Sequence, residues 1–372
     1  MAAAQTHSPL ARHIRVLGDH FDSLILPMWM GPGFNQTLGL PYESLDAASG
    51  RPLPPVRYRA MACARQLYVF SNARAPGARE HAGRLFESLT RTFRNAEHGG
   101  WRFSVDAEGK PLDDTQDLYT HAFVVFACAA YFRSSRAAQA RRLMLETAEH
   151  IEAHFRTGDE LYASALGADW RRVVRGPAQN PMMHLTESYL AAAQIAEPAL
   201  FAQRLRRLGQ AVAAAFLHPP SQCIAEEAMG TADNRLEPGH QFEWMTLVHG
   251  AQDVYDGLEL PDFLPRGVAW ARRHGVDDGS VRAALDMRGG VLDDTRRIWA
   301  QTEYLRMLAA TGDLAVLEPA LVRFNRDFLH PGGWHECLDG QGQVTRGDMP
   351  STSPYHLATC LEELQNVIKL AR

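Results

Sequence analysis

The feature that most constrains this chain is a connector that recurs. Gly99-Gly100-Trp101 is followed by Val105-Asp106 and Gly109, and Gly332-Gly333-Trp334 by Leu338-Asp339 and Gly342. An Asp-x-x-Gly ending is a hairpin turn signal, because glycine supplies a positive φ without steric cost. Weaker versions begin near Gly33, Leu161, Gln222 and Ser280, so the starts lie 66, 62, 61, 58 and 52 residues apart. Six units of about sixty residues account for the 372-residue length. A period this long means stacked repeats, either an open solenoid or a closed ring. Length alone would suggest about two or three domains. The repeat instead predicts one, spanning 1–372.

Apolar spacing of three and four residues predicts about twelve helices: 9–28, 56–75, 79–95, 116–132, 134–156, 181–195, 197–217, 239–256, 262–274, 293–310, 313–329 and 354–370. The even-numbered helices follow the connectors and carry the unusual polar groups near their starts. These groups are Arg65, then Asp117, Tyr119 and His121, then Asn180, His184 and Glu187. Next come His240 and Glu243, then Trp299 and Glu303, and finally Tyr355 and His356. The odd helices carry plain charged faces such as Arg206-Arg207. Six pairs can close into an inner ring of six helices inside an outer ring of six. Only a ring brings six separated helix starts to one point, so a closed ring around a funnel is the favoured architecture.

The chain is 46 % hydrophobic and 22 % charged with a net charge of −5. That excludes disordered, collagen-like and coiled-coil classes and argues against a phosphate-backbone binder, so no nucleic-acid partner is expected. No cationic leader or run of about 18 apolar residues occurs, which predicts a cytoplasmic protein with no membrane partner. The five scattered cysteines form no CxxC pair and indicate neither a disulfide framework nor a zinc site. Cys63, Cys128 and Cys360 read as core filling.

Histidines, carboxylates, an arginine and aromatics around a funnel fit proton transfer α to a carbonyl without any cofactor. They equally fit glycoside hydrolysis by paired carboxylates. The segment Pro238-Gly239-His240-Gln241-Phe242-Glu243-Trp244 resembles the PGHxxEW signature of the N-acylglucosamine 2-epimerase superfamily, with its mannose isomerases, sulfoquinovose isomerases and cellobiose 2-epimerases. Supporting matches are the Ala-Arg-x-x-Tyr segment ending at Tyr68, Gly-Gly-Trp, Asp117-Leu118-Tyr119, Asn180 with His184, Trp299-Ala300-Gln301-Thr302-Glu303 and Tyr355-His356-Leu357. The resemblance implies an all-α (α/α)6 barrel with short β-hairpins between helix pairs, in agreement with the repeat count.

It also implies roles. His240 and His356 would be the acid/base histidines acting at C2 of an opened sugar through a cis-enediol, and Arg65 would stabilise the enediolate. Glu243, at i+3 from His240, would orient that imidazole. His184 would polarise the carbonyl or hydroxyls, and Tyr119, Asn180, Trp299 and Glu303 would bind the sugar. Glu303 pairing with Arg296 or Arg297 is an alternative. Arg296 stands where epimerases of the family often have Lys, Ile298 takes a Trp position, and no Trp precedes Tyr355-His356. These departures resemble the monosaccharide aldose–ketose isomerases more than the disaccharide epimerases, and mannose–fructose interconversion is expected.

The alternatives are a 2-epimerase and a non-enzymatic binder on the same scaffold. No Gly-rich phosphate loop or cation cluster is apparent around the site, so the small-molecule partner is expected to be a free sugar. A monomer or homodimer is expected. His184-x-x-Glu187 and His240-x-x-Glu243 could each build half of a helical metal site, but no metal is expected. His121, Trp101 and Trp334 each have a packing role as the rival reading.

Overall fold

The structure, a computed structural model, describes residues 9–370; the leader-free reading of residues 1–8 lies outside them. Twelve long helices run α1 (Pro9–His20), α2 (Ala60–Asn72), α3 (Ala78–Ser88), α4 (Leu118–Ser135), α5 (Ala138–His150) and α6 (Gln179–Ala193). They continue as α7 (Pro198–Phe216), α8 (Pro238–His249), α9 (Leu260–Gly275), α10 (Ile298–Ala310), α11 (Leu314–Asp327) and α12 (Ser353–Leu370). The even helices follow one another around an inner ring in which α12 returns to α2. The odd helices pack outside, α3 on α2 through α11 on α10, and α1 closes the outer ring against α11 and α12. The fold is an (α/α)6 barrel. None of the described helices is long and apolar enough to cross a membrane.

Sequence explains which helices lie inside. On α4, Ala122, Phe123, Val124, Val125, Ala127 and Cys128 are all buried, and a helix apolar on every side needs neighbours on every side. On α7 the large buried apolar residues are Phe201, Leu205, Leu208, Val212 and Phe216. That three- and four-residue spacing is a single inward stripe. Each such side chain contributes about 1.5–3 kcal/mol of burial, and Leu208→Ala would cost about 2–5 kcal/mol.

Each outer helix ends in a tight antiparallel connector. The pairings are Phe34–Asn35 with Leu40–Pro41, Arg94 with Trp101, Arg156 with Tyr162, Leu217–His218 with Cys223–Ile224, Val276–Asp277 with Ser280–Val281, and Leu329–His330 with Gly333–Trp334. The sixty-residue repeat is therefore structural. Trp101 and Trp334 are anchors of these connectors: both are buried, the first donating to Thr147 Oγ1 at 2.9 Å and the second to Glu336 Oε2 at 2.9 Å. Asp106 and Asp339 each accept two backbone N–H bonds across the next turn. Asp286 does the same, a third copy of the turn, in the weaker connector that begins near Ser280.

A second set of strands fixes where the inner helices begin. Arg57–Arg59 pairs with Ser104–Asp106, Gln116–Asp117 with Ala165–Leu166, Arg296–Arg297 with Cys337–Leu338, and Asp348–Pro350 with Ser44–Asp46. The last pairing joins the end of the chain to its beginning. It also explains why α2 and α10 start later than the apolar spacing predicted: residues 57–59 and 296–297 are extended, their backbones bonded to the next unit. All six inner N-termini consequently face one end of the barrel.

Candidate active site

The N-terminal turns of the inner helices enclose a cavity of about 420 Å³. Arg65, Tyr119, Asn180, His184, His240, Glu243, Trp299 and His356 all line it. The Pro-Gly-His segment shows how sequence sets this up. Pro238 occupies the first turn of α8, where no N–H is needed. A Cβ on Gly239 would lie 2.8 Å from the Trp299 ring and 2.9 Å from Ala300, so glycine lets α8 approach α10 closely and brings His240 beside the indole. The Trp299 ring stands 4.8 Å from the His240 ring and 5.9 Å from the His356 ring.

His240 is held by Glu226, not by Glu243 as its helical spacing predicted. Glu226 Oε1 accepts from His240 Nδ1 at 2.7 Å. A carboxylate can only accept, so Nδ1 carries the proton and Nε2 is left for the cavity. Gln179 Nε2 donates to both Glu226 oxygens at 3.1 Å, and Gln179 Oε1 accepts from Trp244 Nε1 at 2.8 Å. The tryptophan of the signature thus acts at a distance, orienting the amide that orients the carboxylate. Burial alone would lower the His240 pKa, but the charge and hydrogen bond of Glu226 outweigh it and hold the imidazole above its ordinary value.

His356 has a similar mount and an opposite tuning. Its Nδ1 lies 2.7 Å from Glu303 Oε1. Glu303 is fully buried behind the imidazole and does not line the cavity, which corrects its assignment as a sugar-binding residue. Its ion partner is Arg306 at 3.3 Å rather than Arg296 or Arg297. Burial, reinforced by the Arg65 guanidinium, pushes His356 well below the usual histidine range. Burial also raises the Glu303 pKa, against the opposing charge of Arg306.

Glu243 turns to His184 instead, its Oε1 3.7 Å from His184 Nδ1 and without a hydrogen-bond partner. Burial, with the charges of Glu303 and Glu187, pushes Glu243 well above the carboxylate range, which favours its protonated form at the cavity wall. Burial lowers His184 to about 4. Arg65 donates to the Tyr119 hydroxyl and to the Thr352 carbonyl, and its guanidinium lies 4.3 Å from the Phe123 ring centre. It has no carboxylate partner among the described residues. Asn180 Oδ1 is buried and unpartnered.

Some expectations move. His121 is fully buried, with Nδ1 2.8 Å from the Asp117 carbonyl, and burial lowers it to about 3; it is a packing group. The wall also carries Arg59, Arg235, Arg297 and Arg346, contrary to the expected absence of cations, because extended segments far apart in sequence meet at the mouth. Three of these are paired, with Glu43, Glu237 and Asp348. Arg296, in contrast, turns away to Asp277 and Asp294. Among the described residues, the His-carboxylate groupings able to hold an ion are His184 with Glu187 and Glu243, and His240 with Glu226 and Glu237. The pair His240 and Glu243 does not form one.

Glu226 and Glu336 were missed from sequence, yet the repeat holds the signal. The Glu43, Glu226 and Glu336 carbonyls accept from Ser351, Gln179 and Ile298 N–H groups, each at the entrance to an inner helix. The same connector position therefore bears a carboxylate in three units.

Comparison with known proteins agrees with this architecture. Residues 42–360 match the N-acylglucosamine 2-epimerase (GlcNAc 2-epimerase) family. A cellobiose 2-epimerase of Bacteroides fragilis is 24% identical over 91% of this chain and 95% of its own. A D-mannose isomerase of Thermobifida fusca is 30% identical over 66% of this chain and 62% of its own. The solved cellobiose 2-epimerase of Spirochaeta thermophila superposes with a TM-score of 0.86 at 24% identity, covering 98% of this chain and 99% of that one.

Proposed function

The chain belongs to the N-acylglucosamine 2-epimerase family and is a sugar isomerase or epimerase; within that class we propose an aldose–ketose isomerase of free monosaccharides, with mannose and fructose as the pair. The observation that carries the reading is the divergent tuning of His240 and His356 across Trp299. Two titratable groups pushed apart by their surroundings are suited to different jobs. His240, biased toward imidazolium, is suited to protonate the ring oxygen as the C1–O5 bond breaks and to take up the O1 proton as the carbonyl forms. His356, biased toward neutral imidazole, is suited to take the C2 proton and return it to C1.

The oxygens must also balance. Between aldose and ketose a proton leaves O2 and another is gained at O1, while the C2 proton moves to C1. Glu243, kept protonated beside His184, is the group placed to give and regain that oxygen proton. Arg65 meets the enediolate charge with a guanidinium that no carboxylate neutralises. Thr352 and Ser353 line the wall ahead of Tyr355-His356, giving a second sugar ring no aromatic platform, which favours a monosaccharide. Pairing of three of the four mouth arginines favours an uncharged one.

A 2-epimerase is the second reading, favoured by imidazoles that reach the cavity from two helices and so from two directions. Incubating mannose in D₂O and following products by NMR separates the two. Fructose deuterated at C1 is expected, and glucose as sole product would replace the isomerase with the epimerase.

A further inference from the structure

Arg306, one turn past Glu303 on α10, has no part in the chemistry above, yet it lies across the barrel axis. Its Nη1 and Nη2 each donate to Glu187 Oε1 at 3.4 Å, and Nη1 donates to Glu303 Oε2 at 3.3 Å. The remaining oxygens face imidazoles: Glu187 Oε2 lies 3.4 Å from His184 Nδ1, and Glu303 Oε1 lies 2.7 Å from His356 Nδ1. Tyr355 also donates to Glu187 Oε2. The result is an unbroken chain from His184 through Glu187, Arg306 and Glu303 to His356. Its ends belong to α6 and α12, which are opposite one another in the inner ring.

We infer that Arg306 is a positioning residue whose guanidinium keeps the Glu187 and Glu303 carboxylates ionised and in place, and through them holds His184 and His356 with Nδ1 protonated and Nε2 toward the cavity. The physical ground is the cost of a buried carboxylate. Without a counter-charge it takes up a proton, and a protonated carboxyl donates where it had accepted. His356 would then offer a bare Nδ1 and carry its proton on Nε2, the wrong tautomer for a base.

The surroundings leave this task to Arg306. Facing it are Glu187 from α6, Glu243 from α8, Glu303 from its own helix, and Tyr355 from α12. Burial biases Glu243 toward its protonated form. Glu362 and Glu363 of α12, Tyr68 of α2 and Arg133 of α4 also line the space behind, where Tyr68 donates to Glu362 at 3.0 Å and Arg133 to Asn72 at 2.8 Å. Burial alone would raise Glu187, but its hydrogen bond to His184 and the Arg306 charge hold it at about 2.

That space is a second cavity of about 250 Å³ at the opposite end of the barrel, with Arg306 and Glu187 in its wall. It opens a direct test, since a small cation could reach the position of a deleted guanidinium. Arg306→Met in the full chain is expected to lose about 100-fold in kcat with KM changed much less. The acid limb of its kcat–pH profile should move to higher pH, because removing a cation raises the proton affinity of the His356–Glu303 pair. Arg306→Lys should keep the limb near its original position, and millimolar guanidinium should restore part of the kcat of Arg306→Ala.

A lowered melting temperature with an unmoved limb and no rescue would make Arg306 merely structural and overturn the inference. The role rests on the isomerase reading only for its kinetic readout. Nitrogen-15 NMR of the histidines reads the tautomers directly, whatever the substrate. Nδ1–H forms of His184 and His356 are expected in the unmodified protein, and Nε2–H forms would overturn the inference even if Arg306→Met fails to fold. Absence of turnover by the unmodified enzyme would sink the isomerase reading and leave the tautomer test standing.

Discussion

The two histidine mounts are built alike and tuned apart. His240 on α8 and His356 on α12 each give Nδ1 to a buried carboxylate at 2.7 Å, yet one imidazole is held above its ordinary pKa and the other well below it. The partner group and its distance are the same, yet Glu226 outweighs burial at His240 whereas burial prevails at His356. The next layer tips that balance. Behind Glu226 stand the neutral amide of Gln179 and the indole of Trp244, with the Glu237 carboxylate 3.8 Å from the ring. Around His356 lie the guanidinium groups of Arg65 and Arg306. Carboxylates favour the imidazolium and guanidiniums oppose it.

The largest expected effect is loss of either imidazole. His356→Ala and His240→Ala should each lower kcat/KM by on the order of 10³-fold. The comparison sharpens when proton transfer at carbon is read apart from net conversion of the aldose. Measured from the ketose through exchange of its C1 proton with D₂O, His356→Ala should lose the exchange, whereas His240→Ala should retain more of it. Equal losses in both assays would break the proposed division of labour.

Smaller changes test the layer behind the rings. Glu226→Gln should cost about tenfold to 100-fold in kcat. It should also move the alkaline limb of the profile to lower pH, because the charge that holds the His240 proton is gone. Trp244→Phe keeps the ring packing but strands the Gln179 carbonyl, which should destabilise the fold by about 1–3 kcal/mol with a weaker shift of the same limb. Denaturant melts and pH–rate profiles read both. A shift in the opposite direction would mean that Glu226 does not set the His240 pKa.

The contrast between the two mounts also shows what a sequence discloses. Periodicity is a one-dimensional property, so the sixty-residue repeat, the ring and the cavity-lining positions of Arg65, His184, His240 and His356 were legible. Trp101 and Trp334 marked equivalent connectors for the same reason. Partner choice across the ring was not legible. Spacing of i, i+3 placed Glu243 under His240, but three residues also advance about 4.5 Å along the helix. At that depth Glu243 meets His184 of the neighbouring helix, while His240 meets a connector 14 residues upstream. Glu303 was misread similarly, since its place in a motif could not distinguish the cavity wall from the layer behind it. Only alignment of all six connectors would have exposed Glu43, Glu226 and Glu336 as equivalent.

The smallest effect reads the two tunings through stability alone, without any substrate. His240 binds its proton more tightly folded than unfolded, so its contribution is fully present below the unfolded pKa of about 6.5 and is lost as pH rises through the folded value. His356 does the reverse: it is buried neutral, the unfolded chain takes up a proton below about 6.5, and stability falls with pH until the depressed folded pKa is passed. Subtracting the melting curve of His240→Asn from that of the unmodified chain should leave a difference that shrinks as pH rises above that value. The same subtraction for His356→Asn should leave one that shrinks as pH falls below it. Differences of the same slope would show that the two sites are tuned alike. The acid and base would then have to be distinguished by where the sugar sits rather than by the protein that surrounds each ring.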